Sequence, residues 1–264
     1  MLRKRFGQHL LQDKNIARKI VALAELKPGD QVLEIGPGKG ILTEEIIKAG
    51  GELMAIEIDR DFCGYLKEKF GTNSFRLIEG DSLRLDFGKA IFSKAPGQFK
   101  VISNLPYYLT TPLLFKLLEW KRHISLMVLT MQWEVARRLV ARPGSKDYGI
   151  LSVAVQFRTH PSISFKILPG SFFPPPRVNS AVVKIRIREK NLFPIKDEPR
   201  FFKMVRTVFN KRRKMLVNTL KDLKDLEKDK IISGLERAHI DPHSRPEALS
   251  LEEFYRLYKA LYYA

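Results

Sequence analysis

Short apolar runs alternate with segments of helical periodicity along the first 188 residues. Seven runs rich in apolar and β-branched residues predict strands at 31–35, 52–58, 75–78, 100–103, 124–131, 151–157 and 181–187. Helical patterns lie between them, for example at 41–48, 60–70, 112–120 and 132–141. Strands that alternate with helices indicate an α/β fold with a doubly wound, mostly parallel, seven-stranded sheet. The proline-rich segment 168–176 cannot form a crossover helix, so the last two strands are predicted to be antiparallel neighbours.

The pattern changes near the C-terminal end, where no β-rich run follows residue 199. Apolar residues recur there at helical spacing, at Phe201, Phe202, Val205, Val208 and Phe209. Ser250 with Glu253 three residues later forms a capping box, which predicts a last helix ending near Tyr262. With a boundary at 189–194, we expect one domain over 1–190 and a small all-helical domain over 191–264.

Composition and charge narrow the class of protein. The 264 residues are 44% hydrophobic, which is enough for a sizeable core and excludes a mainly disordered chain. Lys and Arg number 47 against 29 Asp and Glu, and the net charge of +18 predicts a polyanionic partner, nucleic acid first. The single cysteine, Cys63, excludes a disulfide framework and a cysteine-based metal site, and no metal is expected. No apolar run approaches the ~20 residues of a membrane span. No secretory signal is evident either, so we expect a cytoplasmic protein.

A glycine-rich segment, Glu-Ile-Gly-Pro-Gly-Lys-Gly at 34–40, joins the first predicted strand to a helix. Gly36 and Gly38 allow a sharp turn and close approach of a ligand to the backbone. The spacing is not that of a dinucleotide fold, because Ile41 stands where the third glycine would be, and no P-loop sequence follows. An ordinary glycine-rich turn is the alternative.

Acidic residues end the next two predicted strands. Glu57 closes the second strand and suits hydrogen bonds to ribose hydroxyls, with Ile58 beside it, while Asp59 suits the N-cap of the following helix. Asp81 and Ser82 close the third strand, where a carboxylate could bind an adenine amino group or cap a turn. Ligands in such sheets bind at the carboxyl ends of the strands. These strand ends therefore predict a nucleoside site without a phosphate cradle, which fits S-adenosylmethionine better than NAD.

The segment Asn-Leu-Pro-Tyr at 104–107 follows the fourth predicted strand. The amino nitrogen of adenine is a poor nucleophile because its lone pair is delocalised into the ring. The side-chain oxygen of Asn104 and the carbonyl of Leu105, both accepting from the amino hydrogens, would favour a pyramidal and more nucleophilic nitrogen. Pro106 biases Leu105 towards an extended conformation, and Tyr107 offers a flat face for a base. A strand-ending turn with a buried tyrosine is the alternative.

These motifs occur in an order that resembles a known family. They are Arg-Phe-Gly-Gln-His-Leu-Leu at 5–11, Glu-Ile-Gly-Pro-Gly at 34–38, Glu-Ile-Asp at 57–59, Gly-Asp at 80–81, Asn-Leu-Pro-Tyr at 104–107 and Phe-Phe-Pro-Pro-Pro-Arg-Val at 172–178. The chain closely resembles the small-subunit ribosomal RNA adenine dimethyltransferases, the bacterial kasugamycin-sensitivity enzymes, over essentially its whole length. The resemblance implies a Rossmann-like S-adenosylmethionine-dependent methyltransferase fold. It also implies methyl transfer to N6 of two adjacent adenosines in a hairpin loop near the 3′ end of small-subunit ribosomal RNA.

The resemblance also assigns site residues. Cofactor contacts are expected at His9, Leu11, Gly36, Glu57, Asp81 and Asn104. Many members have Asn where this chain has His9, so a backbone contact is expected there and a side-chain contact is left open. Phe172 matches the family aromatic that helps sandwich the target base, and a core position is its alternative.

Three basic clusters are predicted to contact RNA phosphates. They are Arg3, Lys4 and Arg5; Lys184, Arg186 and Arg188 on the last predicted strand; and the run 199–221, which holds Arg212, Arg213 and Lys214 among its eight cations and no acid. The expected partner is small-subunit ribosomal RNA within an immature 30S-type subunit, bound by a monomer. Two alternatives stay open: a large-subunit ribosomal RNA methyltransferase, and a non-catalytic assembly or transcription factor.

Overall fold

The computed structural model describes residues 9–71, 74–94 and 97–263. The strands in these ranges are β1 (Leu10–Leu11), β2 (Gln31–Ile35), β3 (Glu52–Glu57), β4 (Phe75–Glu79), β5 (Phe99–Asn104), β6 (Ile124–Gln132), β7 (Thr159–Ile167), β8 (Phe172–Phe173) and β9 (Ser180–Ile187). The helices are α1 (Lys14–Ala22), α2 (Ile41–Lys48), α3 (Arg60–Phe70), α4 (Phe87–Ala90), α5 (Thr110–Glu119), α6 (Trp133–Val140), α7 (Ile150–Arg158), α8 (Glu198–Phe209), α9 (Leu216–Leu220), α10 (Lys228–Arg237) and α11 (Leu251–Tyr262).

Seven of these strands form one sheet in the order β4-β3-β2-β5-β6-β9-β7. The pairs β2–β3, β2–β5, β3–β4 and β5–β6 are parallel, and β9 runs antiparallel to β6. The central strands β2 and β3 are buried along nearly their whole length, as parallel strands covered on both faces must be. The α/β fold with a mostly parallel seven-stranded sheet is therefore confirmed. A second, two-stranded sheet pairs β1 with β8.

One predicted strand is wrong. Residues 151–157 form most of helix α7, and the seventh strand of the sheet is β7 instead. Six of the nine residues of α7 are buried and the other three are partly buried, so the segment lacks the exposed polar face that distinguishes an amphipathic helix from a strand. The helix begins after Gly149, whose N–H donates to Ser152 Oγ at 3.1 Å.

Side-chain caps explain where several helices begin. Asp13 accepts hydrogen bonds from the first turn of α1, and Asp59 does the same for α3. At α11, Ser250 and Glu253 form the reciprocal capping box, which confirms the predicted last helix. These caps satisfy backbone N–H groups that lack a partner within the helix.

The chain divides into two compact units. The first comprises the described residues up to Ala136 together with His160–Ile187, and its core includes Ile20, Val32 and Ile46. The second comprises Arg137–Thr159 and the described residues from Arg188 onward, and it is helical, with Phe201, Leu235 and Phe254 in its core. The sequence placed 137–159 in the first domain; that segment packs in the second unit because α7 buries its apolar surface among those helices.

In the described ranges, no helix combines the length and the apolar character needed to cross a membrane.

Candidate active site

The carboxyl ends of β2, β3, β4 and β5 converge on a cavity of about 300 Å³. Parallel strands bring these ends to one edge of the sheet, which is where such folds bind ligands. The predicted site residues that line the cavity are His9, Gly36, Gly38, Glu57, Ile58, Asp81, Ser82, Asn104, Leu105, Pro106 and Tyr107. Motifs up to 98 residues apart, from His9 to Tyr107, are thus brought together around this one cavity.

The glycine-rich loop adopts a backbone that favours glycine. Gly36 and Gly38 have φ angles of 69° and 56°, in the left-handed region that side chains disfavour. A Cβ atom on Gly38 would lie 2.7 Å from Leu10 Cδ2, so a larger residue would force the Leu10 side chain to shift. The absence of a side chain at Gly38 therefore leaves room for Leu10 of β1 to pack against this loop.

Glu57 is 1% exposed and its carboxylate is held by backbone donors. Oε1 accepts from the N–H groups of Ile58 and Asp59, both at 2.9 Å, and Oε2 accepts from Gly38 N–H at 3.1 Å. A carboxylate has roughly four acceptor positions, so Oε2 keeps one for a ligand hydroxyl. Burial raises the pKa of Glu57, and the three backbone hydrogen bonds oppose that rise by stabilising the charged form.

A second buried carboxyl lies close to this one. Glu34, on β2, is buried and accepts a hydrogen bond from Thr43 Oγ1 at 2.7 Å. Burial raises the pKa of Glu34 to about 8; the Thr43 hydrogen bond opposes this, and the charge of Glu57 adds to it. Glu34 does not line the cavity; its hydrogen bond from Thr43 ties β2 to helix α2.

The turn that carries Asp81 is braced by a residue that sequence reasoning missed. Asp81 Oδ1 accepts from Leu83 N–H at 2.8 Å, and Lys116 Nζ donates to the carbonyl oxygens of Ser82 and Leu83, both at 2.8 Å, and of Leu85. Burial lowers the pKa of Lys116. In the sequence, the only sign of this role is a lysine among the leucines of α5. That pattern does not show which carbonyl oxygens the lysine would bind.

Asn104 has a fixed amide orientation. Its Nδ2 donates to the backbone carbonyl of His9 at 3.0 Å, which leaves Oδ1 as the outward acceptor. Leu105 N–H donates to Thr130 O at 3.2 Å. Within the described ranges, neither Asn104 Oδ1 nor the Leu105 carbonyl accepts a hydrogen bond from the protein. Both predicted acceptors are therefore open for a ligand.

Contacts to its hydroxyl and to its ring hold Tyr107 in place. Its hydroxyl shares a hydrogen bond of 2.6 Å with Ser180, a buried residue of β9, and its ring centroid lies 5.3 Å from that of His9. The His9 ring in turn donates from Nδ1 to the Pro174 carbonyl at 2.7 Å. Burial raises the pKa of Tyr107. Sequence reasoning missed Ser180, because a serine at the start of a strand carries no motif of its own.

Two predicted contacts fall outside the cavity. Leu11 is 4% exposed and Phe172 is 3% exposed, and both belong to the core of the first unit. Their side chains pack against apolar neighbours. For Phe172, this is the core position that the sequence left open as the alternative to a contact with the target base. The adjacent Phe173 is 53% exposed instead.

The predicted RNA contacts differ in how available they are. Arg3, Lys4 and Arg5 lie outside the described residues. Lys184 and Arg186 both contact Glu25, at 2.5 and 3.2 Å, and Arg188 is half-buried and donates to Gln156 O. Because Glu25 already neutralises part of this cluster, the strand offers RNA fewer charges than its sequence suggests.

The cluster on the second unit is more open. Residues 209–214 line a shallow hollow after α8. Lys211 pairs with Asp222 at 2.7 Å, and Arg212 donates to Lys146 O at 3.0 Å. Arg213 and Lys214 are exposed, and in the described part of the chain no acid lies within ion-pair distance of either.

The character of the cavity fits a nucleoside. Two carboxylates, Glu57 and Asp81, face apolar walls that include Ile35, Ile56 and Ile58. Among the described residues, no Lys or Arg side chain lines the cavity, so it offers no cation for a phosphate group. These two acceptors suit the hydrogen-bond donors of a ribose diol and of an adenine amino group, as S-adenosylmethionine carries, and Glu57 and Asp81 would hold them.

A Rossmann-like sheet with such a cavity beside an Asn-Leu-Pro-Tyr turn defines the class of S-adenosylmethionine-dependent methyltransferases. Residues 1–262 match the sequence model of the ribosomal RNA adenine dimethylases, and the chain belongs to this family. It is therefore an enzyme that uses S-adenosylmethionine to dimethylate adenine in ribosomal RNA, which confirms the resemblance seen in the sequence.

Individual relatives agree over nearly the full length. The chain is 45% identical over 266 residues to the ribosomal RNA small subunit methyltransferase A of Moorella thermoacetica, covering 98% of this chain and 92% of that one. A dimethyladenosine transferase from Plasmodium falciparum superposes with a TM-score of 0.81 at 25% identity, covering 94% of this chain and 96% of that one. The 23S rRNA methyltransferase ErmE superposes with a TM-score of 0.72 at 26% identity, covering 96% and 99%.

Proposed function

We propose that this protein transfers methyl groups to N6 of two adjacent adenosines in a hairpin loop near the 3′ end of small-subunit ribosomal RNA. It acts as a cytoplasmic monomer on RNA within an immature 30S-type subunit. The relative with 45% identity carries small-subunit specificity in its name, whereas the large-subunit enzyme is 26% identical. The observation that carries the chemistry is a pair of open acceptors beside a nucleoside cavity: Asn104 Oδ1, whose amide is oriented by the hydrogen bond to His9, and the Leu105 carbonyl.

The open acceptors address the weakness of the adenine amine. Asn104 Oδ1 and the Leu105 carbonyl each accept one amino hydrogen of the target adenine. Both hydrogen bonds are best made when the nitrogen is pyramidal, so its lone pair is withdrawn from the ring and directed at the methyl group. The rigid Asn104 amide and the proline-restricted Leu105 backbone supply this geometry before the base arrives.

The remaining residues align the reactants. Glu57, Asp81 and the glycine loop would hold the ribose and adenine of S-adenosylmethionine, whose sulfonium would supply an electrophilic methyl carbon. Tyr107 stacks on the target base and fixes its plane. The amine proton becomes acidic once nitrogen is alkylated and leaves to water, so no side chain needs to act as a general base.

The same contacts distinguish the substrates from the dimethylated product. Adenine brings two amino hydrogens to Asn104 and Leu105, and N6-methyladenine brings one. The dimethylated product brings none, so it loses both hydrogen bonds to the site and leaves two acceptors unpaired. We therefore expect the product to bind less well than either substrate.

Exposed cations outside the cavity supply affinity for the RNA. Arg213 and Lys214 are the leading candidates, because neither is paired with an acid among the described residues. Phosphate contacts of this kind fix position without reading sequence. Selection of the two adenosines then depends on the cavity and on how far the loop can enter it.

The test is methylation of defined substrates with labelled S-adenosylmethionine. The protein is incubated with small subunits lacking the modification, with large subunits and with free small-subunit RNA, and modified positions are mapped. We expect label on two adjacent adenosines of the small-subunit hairpin, and much slower labelling with Asn104→Ala. Label on large-subunit RNA alone would overturn the proposed specificity. Small-subunit binding without methylation of any adenosine would point to the non-catalytic factor.

A further inference from the structure

The loop that links α6 to α7 lies in the second unit and is held at both of its ends. Ala141, at its start, and Tyr148, near its end, are buried in the core of that unit. Between them the chain turns sharply, since the N–H and the hydroxyl of Ser145 both donate to the carbonyl of Arg142, at 3.2 and 2.8 Å. Residues 142–146, which we call the anchored loop, therefore form a fixed turn between two buried residues.

Two further contacts fix the anchored loop to other segments of the same unit. Gly144 N–H donates to the carbonyl of Glu247 at 2.7 Å, and Arg212 Nη2 donates to the carbonyl of Lys146 at 3.0 Å. Arg212 Nε also lies 3.8 Å from the Glu247 carboxylate. Because Arg212 lines the hollow of residues 209–214, its side chain joins the anchored loop to that hollow.

The acid that follows the anchored loop is already paired, whereas the two cations of the loop are not. Asp147 forms an ion pair with Arg137 at 2.5 Å. Arg142 and Lys146 are exposed, and across the described ranges neither has an acid within ion-pair distance. A lone surface cation is usually only solvated. These two cations stand on a backbone that is already fixed, so less conformational freedom is lost when they bind an anion.

The anchored loop and the hollow together match the charge pattern of a nucleic-acid backbone. Arg213 and Lys214 in the hollow are exposed and, among the described residues, also lack an acidic partner. The contact between Arg212 and the loop brings the cations of the two segments to one stretch of surface. A nucleic-acid strand carries a phosphate at every nucleotide, ~3.4 Å apart along the axis of a duplex. Two neighbouring cationic segments can therefore contact successive phosphates of one backbone.

We propose that the anchored loop is a second contact between this protein and the phosphate backbone of its RNA substrate, made by Arg142 and Lys146 beside the phosphates bound in the hollow. Arg212 is the positioning residue of this surface, because its guanidinium joins the two segments and is engaged with the loop and with Glu247. The inference rests on the proposed function and extends it to a segment outside the sequence motifs. Phosphate contacts of this kind fix the position of the RNA without reading its sequence.

The test compares two double variants of the full-length protein in their binding to small-subunit RNA at several salt concentrations. Arg142→Ala with Lys146→Ala removes the two loop cations, and Lys48→Ala with Lys67→Ala removes the same net charge from lysines paired with glutamates. The loop variant should reduce the slope of log affinity against log salt by about two, one for each lost phosphate contact, and weaken binding about 10-fold or more at about 0.1 M salt. Its cofactor affinity and thermal midpoint should match those of the parent. A loop variant whose slope equals that of the parent or of the control would overturn the proposal.

The positioning role of Arg212 is tested by combining variants. If Arg212 acts through the loop, Arg212→Met should lower the slope in the parent and cause no further fall when combined with Arg142→Ala and Lys146→Ala. Arg212→Lys keeps a donor for the Lys146 carbonyl and should restore the parent slope. A further fall of about one in the combined variant would make Arg212 a direct phosphate ligand and overturn its positioning role. Failure of the proposed function would show instead in the labelling pattern of the parent, and the slopes would then be compared on the RNA that the parent labels.

Discussion

The N–H of Gly38 donates to the carboxylate of Glu57 across 3.1 Å. The glycine loop and Glu57, the residue proposed to bind the ribose, therefore form one hydrogen-bonded unit. Glu57→Ala should weaken S-adenosylmethionine binding by roughly 1–3 kcal/mol, through loss of a charged hydrogen bond and loosening of the loop. Calorimetry measures this directly. Glu52→Ala, at the exposed start of the same strand, is the matched control. Equal affinities of Glu57→Ala and parent would remove Glu57 from the site, and NADH binding of comparable strength would refute the cofactor specificity.

Asn104 is proposed to act in the transition state, so its loss should affect rate more than binding. Asn104→Ala should lower the single-turnover methylation rate on pre-bound RNA on the order of 10²-fold or more. RNA affinity, measured separately, should change little. Asn15→Ala, an exposed asparagine of α1, controls for the substitution itself. A parent-like rate in Asn104→Ala would mean that the turn has no catalytic role.

The basic hollow should be visible in the salt dependence of RNA binding. Each lost phosphate contact reduces the slope of log affinity against log salt by about one. Arg213→Ala with Lys214→Ala should therefore flatten the slope and weaken binding. Lys48→Ala with Lys67→Ala removes the same net charge from residues already paired with glutamates. Similar slopes in the two double variants would show that overall charge, and not this hollow, sets the affinity.

Glu34 should make stability depend on pH. Its folded pKa of about 8 exceeds the ordinary value of 4.5. Between these two pH values, Glu34 is protonated in the folded state and ionised in the unfolded state. Its contribution to stability is full below pH 4.5 and is lost as pH rises towards 8. With ~1.4 kcal/mol per pKa unit, Glu34→Gln should remove a few kcal/mol of this decline. Urea unfolding at several pH values gives the slopes, and parallel curves for variant and parent would contradict the prediction.

Lys116 should affect cofactor affinity without contacting the cofactor. Lys116→Met keeps the length of the side chain but frees three carbonyls of the turn after Asp81. We expect cofactor affinity to fall on the order of 10-fold, about the value of one charged hydrogen bond, with RNA affinity retained. Lys89→Met, an exposed residue of the neighbouring α4, is the control. A lower thermal midpoint with intact cofactor affinity would limit Lys116 to general stability.

The catalytic unit was largely predictable because buried parallel strands need continuous apolar runs. Strand β2 and helices α2 and α3 have the predicted bounds. Glu57 ends β3 and Asp81 follows β4, so the predicted strand ends also located these two carboxylates. Helix α7 was not predictable from its pattern, because a segment with no exposed face lacks the periodicity that distinguishes a helix from a strand.

The burial of Phe172 shows a second limit. Which of Phe172 and Phe173 faces inwards depends on the register of β8 against β1, two strands of two residues each. Alternation alone allows both choices, and the deciding pairing partner lies more than 160 residues away in sequence. Ser180 and Lys116 escaped notice for the same reason, since their partners are defined by the folded chain.

The pairing of β1 with β8 also bears on the order in which the enzyme is made. Translation delivers the N-terminal residues first, but His9 meets Pro174 across 165 positions of chain. While the nascent polypeptide is shorter than this, His9 has no carbonyl to donate to, and the ring beside Tyr107 lacks its anchor. The wall of the cavity can therefore close only after the segment that carries β8 has left the ribosome, so a growing chain acquires a complete site late in its own synthesis.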